Sequence, residues 1–179
     1  MQRYAFKFGY IGNKYGGFQH QRNFTKTPIE HLLTESFKAT RLLLPHESLR
    51  DTERQFQVCG RTDKGVSAAG NVFAINLKLT QNEEKTLQKR VNSKLPVSVF
   101  ILAVKKVQKD FSPRFDCVSR EYRFYFFDQG YDFGEMRKAC EILVGKHDFR
   151  HLCKMRDDYW RNGSERIIFK CELKRDHFY

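Results

Sequence analysis

The sequence is poor in acidic residues and has no long apolar run. Its 179 residues include 21 Asp and Glu against 33 Lys and Arg, so the formal net charge is +12. No stretch approaches the length of a membrane span or resembles a signal peptide, so we expect an intracellular protein of the nucleus or cytoplasm that does not enter membranes. The excess of basic residues predicts an acidic partner, and nucleic acid is the commonest one.

Cysteine is also scarce, with five residues and no Cys-x-x-Cys pair. This excludes a disulfide framework and indicates reduced thiols. His147, His151 and Cys153 lie close together in the sequence, but a structural zinc site needs a fourth ligand that this segment does not offer. We therefore predict that the protein uses neither a metal nor another cofactor.

The most informative segment is residues 60–68, which read GRTDKGVSA. Asp63 stands between the cations Arg61 and Lys64, and glycines bracket all three. If residues 61–63 are extended, the side chains of Arg61 and Asp63 project to the same side. The guanidinium would then hold the pKa of the carboxyl below its ordinary value. Such a carboxylate suits a nucleophile or base for a polyanionic substrate.

An ordinary hairpin turn explains the same residues. Asp63, Lys64 and Gly65 form a common turn sequence, in which the glycine supplies the positive φ. Structural ion pairs also perturb pKa values, so the spacing alone favours a turn over a catalytic site.

Residues 1–108 predict one domain with the order strand, helix, strand, strand, helix, strand. Apolar alternation or continuous apolar character marks the strands at residues 4–11, 55–59, 73–79 and 97–107, the last covered on both faces. This order is typical of the ferredoxin-like βαββαβ domain with an antiparallel sheet, an α+β fold. The segment at residues 60–68 falls between the second and third strands.

Capping boxes predict where the two helices of this domain begin. Thr27 and Glu30 would cap the first helix, which Pro45 would end. Thr80 and Glu83 would cap the second in the same way.

Residues 109–179 predict the start of a second, incomplete α+β domain. A linker at residues 109–118 leads to a strand at 120–127, and Asp132 can cap a third helix. Alternation predicts a final strand at residues 167–173 and a turn at 174–177. A strand with an apolar face and no partner is a poor end for a domain, so we expect the domain to be incomplete.

Four segments resemble the TruA-type tRNA pseudouridine synthases. Residues 60–68 resemble the family signature that contains its catalytic aspartate, and residues 12–21 (GNKYGGFQHQ) resemble its first motif. Residues 120–122 (REY) match an element that carries an active-site tyrosine. Residues 145–154 are most similar to the eukaryotic branch that modifies tRNA positions 38 and 39. The resemblance covers nearly the whole chain but only about two-thirds of the family's catalytic unit, without its later arginine.

The resemblance implies an isomerase that detaches uracil from ribose C1′ and rejoins it through C5. It implies tRNA as the partner, no cofactor, and a homodimer when the protein is full length. Asp63 would be the nucleophile, at C1′ or C6, and Arg61 would orient it. Tyr122 would pack on the base and could accept the C5 proton. The other substrate-binding residues that it implies are Tyr15, Gln19, Gln21, Lys64 and Arg120.

Two other functions fit the composition. A non-catalytic basic RNA-binding module on a ferredoxin-like fold explains the basic residues and the 17 Phe and 8 Tyr, which could stack on unpaired bases. It does not need an Arg-x-Asp motif in a loop bracketed by glycines. A basic scaffold protein explains the charge alone.

Overall fold

The computed structural model describes residues 1–20, 24–152 and 163–174. The chain divides into two compact units, Met1–Glu121 and Tyr122–Tyr179. The segment predicted as a linker groups with the first unit, and the side chain of Arg3 donates to the Phe111 carbonyl at 2.6 Å. None of the helices in these ranges is long and apolar enough to cross a membrane.

The first unit is a four-stranded antiparallel sheet with two helices. Its elements are β1 (Gln2–Tyr10), α1 (Ile29–Ala39), β2 (Gln57–Val58), β3 (Ala68–Leu77), α2 (Gln81–Asn92) and β4 (Val99–Val107). The strand order is β2-β3-β1-β4, and each neighbouring pair is antiparallel. The predicted order of elements and the α+β class are therefore confirmed for this unit.

The core of the first unit is built on aromatic side chains from one face of β1. Phe6 stacks on Phe73 of β3 with ring centroids 4.7 Å apart, and Phe8 meets Phe73 edge-on at 5.2 Å. Phe37 of α1 lies 5.5 Å from Phe6, and Leu87 of α2 is buried in the same cluster. Each such burial is worth about 1.5–3 kcal/mol, so this face fixes the helices on the sheet.

The predicted capping box at the start of α1 is wrong. Pro28 is the N-cap residue, and no side chain caps the helix. The Glu30 carboxylate is 2% exposed and accepts hydrogen bonds from the His20 backbone N–H and from Arg50 Nη2, each at 2.8 Å. A buried carboxylate needs such partners, so these tertiary contacts replace the local cap. The helix also ends at Ala39, well before Pro45.

The other two caps form as predicted. Thr80 and Glu83 make a reciprocal capping box at the start of α2. Asp132 accepts hydrogen bonds from the backbone N–H groups of Gly134 and Glu135 at 2.8 and 3.0 Å.

The prediction that residues 97–107 form a strand covered on both faces is half wrong. The strand forms as β4, but it lies at the edge of the sheet, beside β1 only. Leu102 is 42% exposed, and Lys105 and Lys106 are exposed. An apolar run does not by itself reveal which position in the sheet a strand will take.

The second unit contains α3 (Phe133–Leu143) and a two-stranded antiparallel hairpin of β5 (Gly145–Asp148) and β6 (Glu165–Ile168). The predicted strand at residues 120–127 is not formed among the described residues. The predicted final strand begins at Glu165 and ends at Ile168 rather than running to residue 173. Both predictions rest on alternation alone, and a strand also needs a hydrogen-bonding partner. The turn predicted at 174–177 lies outside the described residues beyond Lys174.

Candidate active site

Two loops of the first unit leave the sheet side by side. β1 and β3 are antiparallel, and Tyr10 at the end of β1 is paired with Ala68 at the start of β3. The loop that follows β1 (the glycine loop, residues 11–28, described except for 21–23) and the loop that precedes β3 (the signature loop, residues 59–67) therefore emerge at the same end of the sheet.

Backbone hydrogen bonds join the two loops in both directions. The Phe18 N–H donates to the Thr62 carbonyl at 3.0 Å, and the Gly65 N–H donates to the Tyr15 carbonyl at 3.3 Å. The hydroxyls of Tyr10 and Thr62 are hydrogen-bonded at 2.7 Å. The signature loop is thus held by main-chain groups of the glycine loop and by the end of β1.

Two glycines make this close approach possible. A Cβ on Gly12 would lie 2.0 Å from the Val66 carbonyl oxygen, and the Gly12 N–H donates to Ser67 Oγ at 2.9 Å. Gly17 has φ +97°, and a Cβ there would lie 3.0 Å from the Thr62 carbonyl oxygen. The spacing requires glycine at position 12, and both the spacing and the left-handed backbone conformation favour it at position 17.

Asp63 opens a tight turn. The Val66 N–H donates to the Asp63 carbonyl at 3.2 Å, and Gly65 has φ +83°. The φ of Lys64 is not positive, which makes this a type II turn with glycine at its third position. The turn that the sequence suggested is therefore present, and it leaves the Asp63 side chain exposed.

Arg61 contacts a different partner from the one predicted. Its Nη1 donates to Gln19 Oε1 at 3.0 Å, which links the signature loop to the glycine loop. In the part of the chain that the structure describes, Arg61 and Asp63 form no ion pair. The predicted contact between this guanidinium and the carboxylate is therefore not made there.

A cleft of about 570 Å³ lies between the two loops. Phe24, Thr25 and Lys26 contribute to one wall and residues 61–64 to the other. Among the described residues, three cations and one carboxylate line it, which suits a phosphate-bearing ligand. The volume falls within the usual range for small-molecule sites, about 300–1,000 Å³.

Tyr15 and Arg120 contact the backbone and side chains beside the two loops and do not line the cleft. Tyr15 is buried, and its hydroxyl lies 2.5 Å from Ser98 Oγ. Arg120 Nη2 donates to the carbonyls of Cys59, at 3.0 Å, and Arg114, at 3.3 Å. This places Arg120 at the base of the signature loop.

The other predicted residues are divided between the cleft and the rest of the chain. Gln19 and Lys64 line the cleft together with Asp63. Tyr122 belongs to the second unit and is 81% exposed. Gln21 lies outside the described residues.

The thiol next to the signature is not an activated nucleophile. Burial raises the pKa of the Cys59 thiol, and a neighbouring thiol, Cys117, adds to the effect. Within the described ranges no three His, Cys, Asp or Glu side chains are grouped as metal ligands would be. Cys153, from the sequence cluster with His147 and His151, lies outside those ranges.

Sequence reasoning missed the wall formed by residues 24–26. Gly16 brings this segment close, since its N–H donates to the Thr27 carbonyl at 3.1 Å and its Cβ position is 2.3 Å from the Lys26 carbonyl oxygen. The pattern of glycines was visible in the sequence, but the segment on which they would pack was not.

Comparison with known proteins finds tRNA pseudouridine synthases among the relatives of this chain. The chain is 37% identical over 189 residues to the tRNA pseudouridine(38/39) synthase of Bos taurus, covering 96% of this chain and 38% of the relative. It is 36% identical over 169 residues to the protein of the same name from Mus musculus, covering 84% and 34%. It is 36% identical over 152 residues to tRNA pseudouridine synthase A of Methanosarcina mazei, covering 85% and 53%.

The chain spans only about a third to a half of the length of these relatives. No protein-family model matches it.

Proposed function

Since this chain belongs to the TruA-type family of tRNA pseudouridine synthases, we propose that it carries the catalytic loop of an isomerase that converts uridine to pseudouridine in tRNA. The proposed targets are positions 38 and 39, in the anticodon stem-loop, which appear in the names of the bovine and mouse relatives. The observation that carries the proposal is the exposed Asp63, presented by a turn at the edge of a basic cleft.

We propose a ferredoxin-like topology for the first unit. The strand order β2-β3-β1-β4 with antiparallel neighbours supports it, as does the sequence of strands and helices along the chain. In this arrangement the signature loop connects a short strand to a central one. A loop on a rigid sheet can hold a catalytic side chain in a fixed position.

Asp63 is the proposed nucleophile, attacking either C1′ of the ribose or C6 of the base. Its carboxylate is exposed, so a nucleotide rotated out of the RNA stack could reach it, at a cost of a few kcal/mol for the rotation. Uracil leaves C1′, turns, and bonds through C5, while the C5 proton is lost and N1 gains one. The atoms of substrate and product are the same, so the net reaction needs no oxidant or group donor.

The cations of the cleft are proposed to hold the RNA backbone. Lys26, Arg61 and Lys64 line the same cleft as the Asp63 carboxylate, and Arg61 and Asp63 form no ion pair among the described residues. Arg61 is bonded to a neutral amide, so it could turn toward Asp63 or into the vacated stack when RNA binds. Tyr122 remains a proposed contact to the base and acceptor of the C5 proton.

The remaining features of the proposal concern the whole protein. We propose that the full-length protein is a homodimer and acts on tRNA in the nucleus or the cytoplasm. A non-catalytic RNA-binding module on the same fold is the second candidate, favoured by the net charge of +12.

The test is pseudouridine mapping on unmodified tRNA with the full-length protein. We expect the wild-type protein to modify position 38 or 39. Asp63→Asn keeps the size of the side chain but removes its charge, so we expect a rate loss on the order of 10⁴-fold or more with tRNA binding retained. Asp110→Asn, at another exposed aspartate, is the matched control and should be active.

Wild-type turnover by Asp63→Asn would show that the nucleophile is wrongly assigned. Tight tRNA binding by the wild-type protein without any modification would favour the RNA-binding module.

A further inference from the structure

Three aromatic rings meet beside the cleft. Phe24 lies 5.6 Å from His20 and 5.3 Å from His31, and the two imidazoles are 5.6 Å apart, measured between ring centroids. His20 and Phe24 come from the glycine loop, and His31 comes from the first turn of α1. We refer to these three rings as the aromatic cluster.

Glu30 fastens this cluster to α1. Its buried carboxylate accepts from the His20 N–H and from Arg50 Nη2, both at 2.8 Å. The carboxylate that the sequence suggested as a helix cap therefore holds the loop beside His31. This hydrogen bond holds the His20 backbone beside α1, and a ring that is positioned before its ligand arrives lowers the entropy cost of binding.

The aromatic cluster is continuous with the cleft that contains Asp63. Phe24 lines that cleft and is 37% exposed, although it is a large apolar side chain in a unit with a well-packed aromatic core. Lys26 lines the same wall two residues further along. An aromatic surface next to a cation, at the mouth of a basic cleft, matches the chemistry that binds single-stranded nucleic acid.

We propose that the aromatic cluster stacks one unpaired nucleobase of the RNA adjoining the target uridine. The inference rests on the proposed function, and it adds a second base-binding position to the cleft. Sequence-specific RNA sites commonly hold splayed bases on aromatic side chains. Every base has a π face, so the aromatic cluster would hold the RNA loop open whichever base occupies this position.

The competing explanation is that the rings only fasten the glycine loop to α1. A double-mutant cycle separates the two, because a stacking contact couples the protein ring to one RNA base, whereas a fastening role does not. The protein change is Phe24→Leu, which keeps an apolar side chain and removes the ring. The RNA change is an abasic residue at each unpaired position of the anticodon loop in turn.

Affinity of the full-length protein for each stem-loop is the measurement. At one position, we expect base removal to weaken wild-type binding by roughly 5- to 100-fold. Phe24→Leu should weaken binding of the intact stem-loop by a similar factor and lose most of its sensitivity to that abasic site. Phe115→Leu is the control, since that ring is 78% exposed and lies against Arg114 rather than in the cleft.

His31→Gln is the second variant, and it keeps the proposal testable if Phe24→Leu melts at a lower temperature. It should also reduce the coupling to the same RNA position. If no position couples to either variant while wild-type protein still binds and modifies the RNA, the aromatic cluster is structural and the proposed function stands. If wild-type protein neither binds nor modifies the stem-loop, both proposals are overturned.

Discussion

Arg3 shows how a single residue determines local architecture in the first unit. Its guanidinium is almost fully buried and donates to the Phe111 and Gln55 carbonyls and to the side-chain oxygens of Asn76 and Gln57. All four acceptors are neutral, and the planar fork of arginine is what reaches them together. The point charge of a lysine could not replace these bonds.

The proposed role of the Tyr122 hydroxyl can be tested separately from the role of its ring. Tyr122→Phe keeps the ring and removes the hydroxyl proposed to accept the C5 proton. We expect the rate of the chemical step to fall by roughly 10²- to 10⁴-fold while tRNA affinity is unchanged. Single-turnover rates and binding measured separately on full-length protein check this.

Tyr131→Phe provides the comparison, since Tyr131 is also an exposed tyrosine of the second unit. Its hydroxyl bonds only Gln129, at 3.3 Å, among the contacts that the structure describes. A fully active Tyr122→Phe together with an inactive Tyr122→Ala would mean that the ring packs on the base and that the proton goes elsewhere.

At the scale of elements, the contact between the glycine loop and the signature loop limits what Gly12 can become. Gly12→Ala would place a Cβ 2.0 Å from the Val66 carbonyl oxygen, and a main-chain group cannot rotate away as a side chain can. We expect the free energy of unfolding to fall by about 1–3 kcal/mol, with a lower rate of isomerisation because Asp63 moves. Denaturant melts and kinetics of the full-length variant measure both.

Gly70→Ala is the matched substitution in β3. Its new Cβ would meet only the mobile end of Lys7, at 3.0 Å. The change in stability should stay within about 0.5 kcal/mol. If Gly12→Ala and Gly70→Ala lower the free energy of unfolding equally, the contact between the two loops is not the cause of the destabilisation.

The hairpin of β5 and β6 should depend on pH through Asp148. Hydrogen bonds from Arg150 and Ser164 hold the pKa of the Asp148 carboxyl well below its ordinary value. The stabilisation is therefore complete above the unfolded-state pKa, near 4, and is lost as the pH falls toward the folded-state value. Amide protection in the hairpin, taken relative to the intrinsic exchange rate at each pH, should fall between about pH 4 and pH 2.

Asp148→Asn is the control, because an amide does not titrate. At pH 6 its hairpin should exchange faster than the wild-type hairpin, and the difference should shrink in acid. A constant difference across this range would mean that Asp148 does not stabilise the hairpin through its charge.

Local signals predicted some elements well and misled for others. Thr80 and Glu83 are three residues apart, and the Glu83 carboxylate completes the cap although Arg90 also reaches it, at 3.4 Å. Thr27 and Glu30 have the same spacing, but Arg50, twenty residues further along the chain, takes the carboxylate. A capping box can be read from sequence only when no distant residue offers the acid a better partner.

For the molecule as a whole, the net charge of +12 predicts a steep dependence of RNA binding on salt. The logarithm of affinity should fall with the logarithm of salt concentration by about 0.7–0.9 for each phosphate contact. Lys26→Gln and Lys64→Gln should each make this slope shallower by the contribution of about one phosphate contact. Binding titrations of full-length protein between low and moderate salt provide the measurement.

Lys138→Gln is the reference variant, since Lys138 is paired with Glu135 at 2.7 Å on α3. Its slope should equal that of the wild type. A flat salt response in the wild-type protein would argue for a scaffold protein instead of an RNA-binding one.

The sequence was sufficient to bring Asp63, Lys64 and Gln19 into one predicted site, because two motifs supplied them. It could not show that Arg61 would bond Gln19 or that residues 24–26 would form a wall. Those contacts depend on the antiparallel register of β1 and β3, which sets the two loops side by side. The predicted order of elements indicates which strands are neighbours, but it does not give the paths of the loops beyond the strand ends, on which these contacts depend.

Backbone hydrogen bonds join Phe18 to Thr62 and Gly65 to Tyr15, so the glycine loop and the signature loop depend on each other's backbone positions. A change of sequence in one loop therefore requires a matching sequence in the other. In a chimera that takes only residues 59–67 from a homologue, the backbone of the new signature loop would not match the close contacts made by the glycines of the original glycine loop. Recombination between homologues should therefore succeed when residues 11–28 and 59–67 are transferred together, although some thirty residues separate them in the sequence.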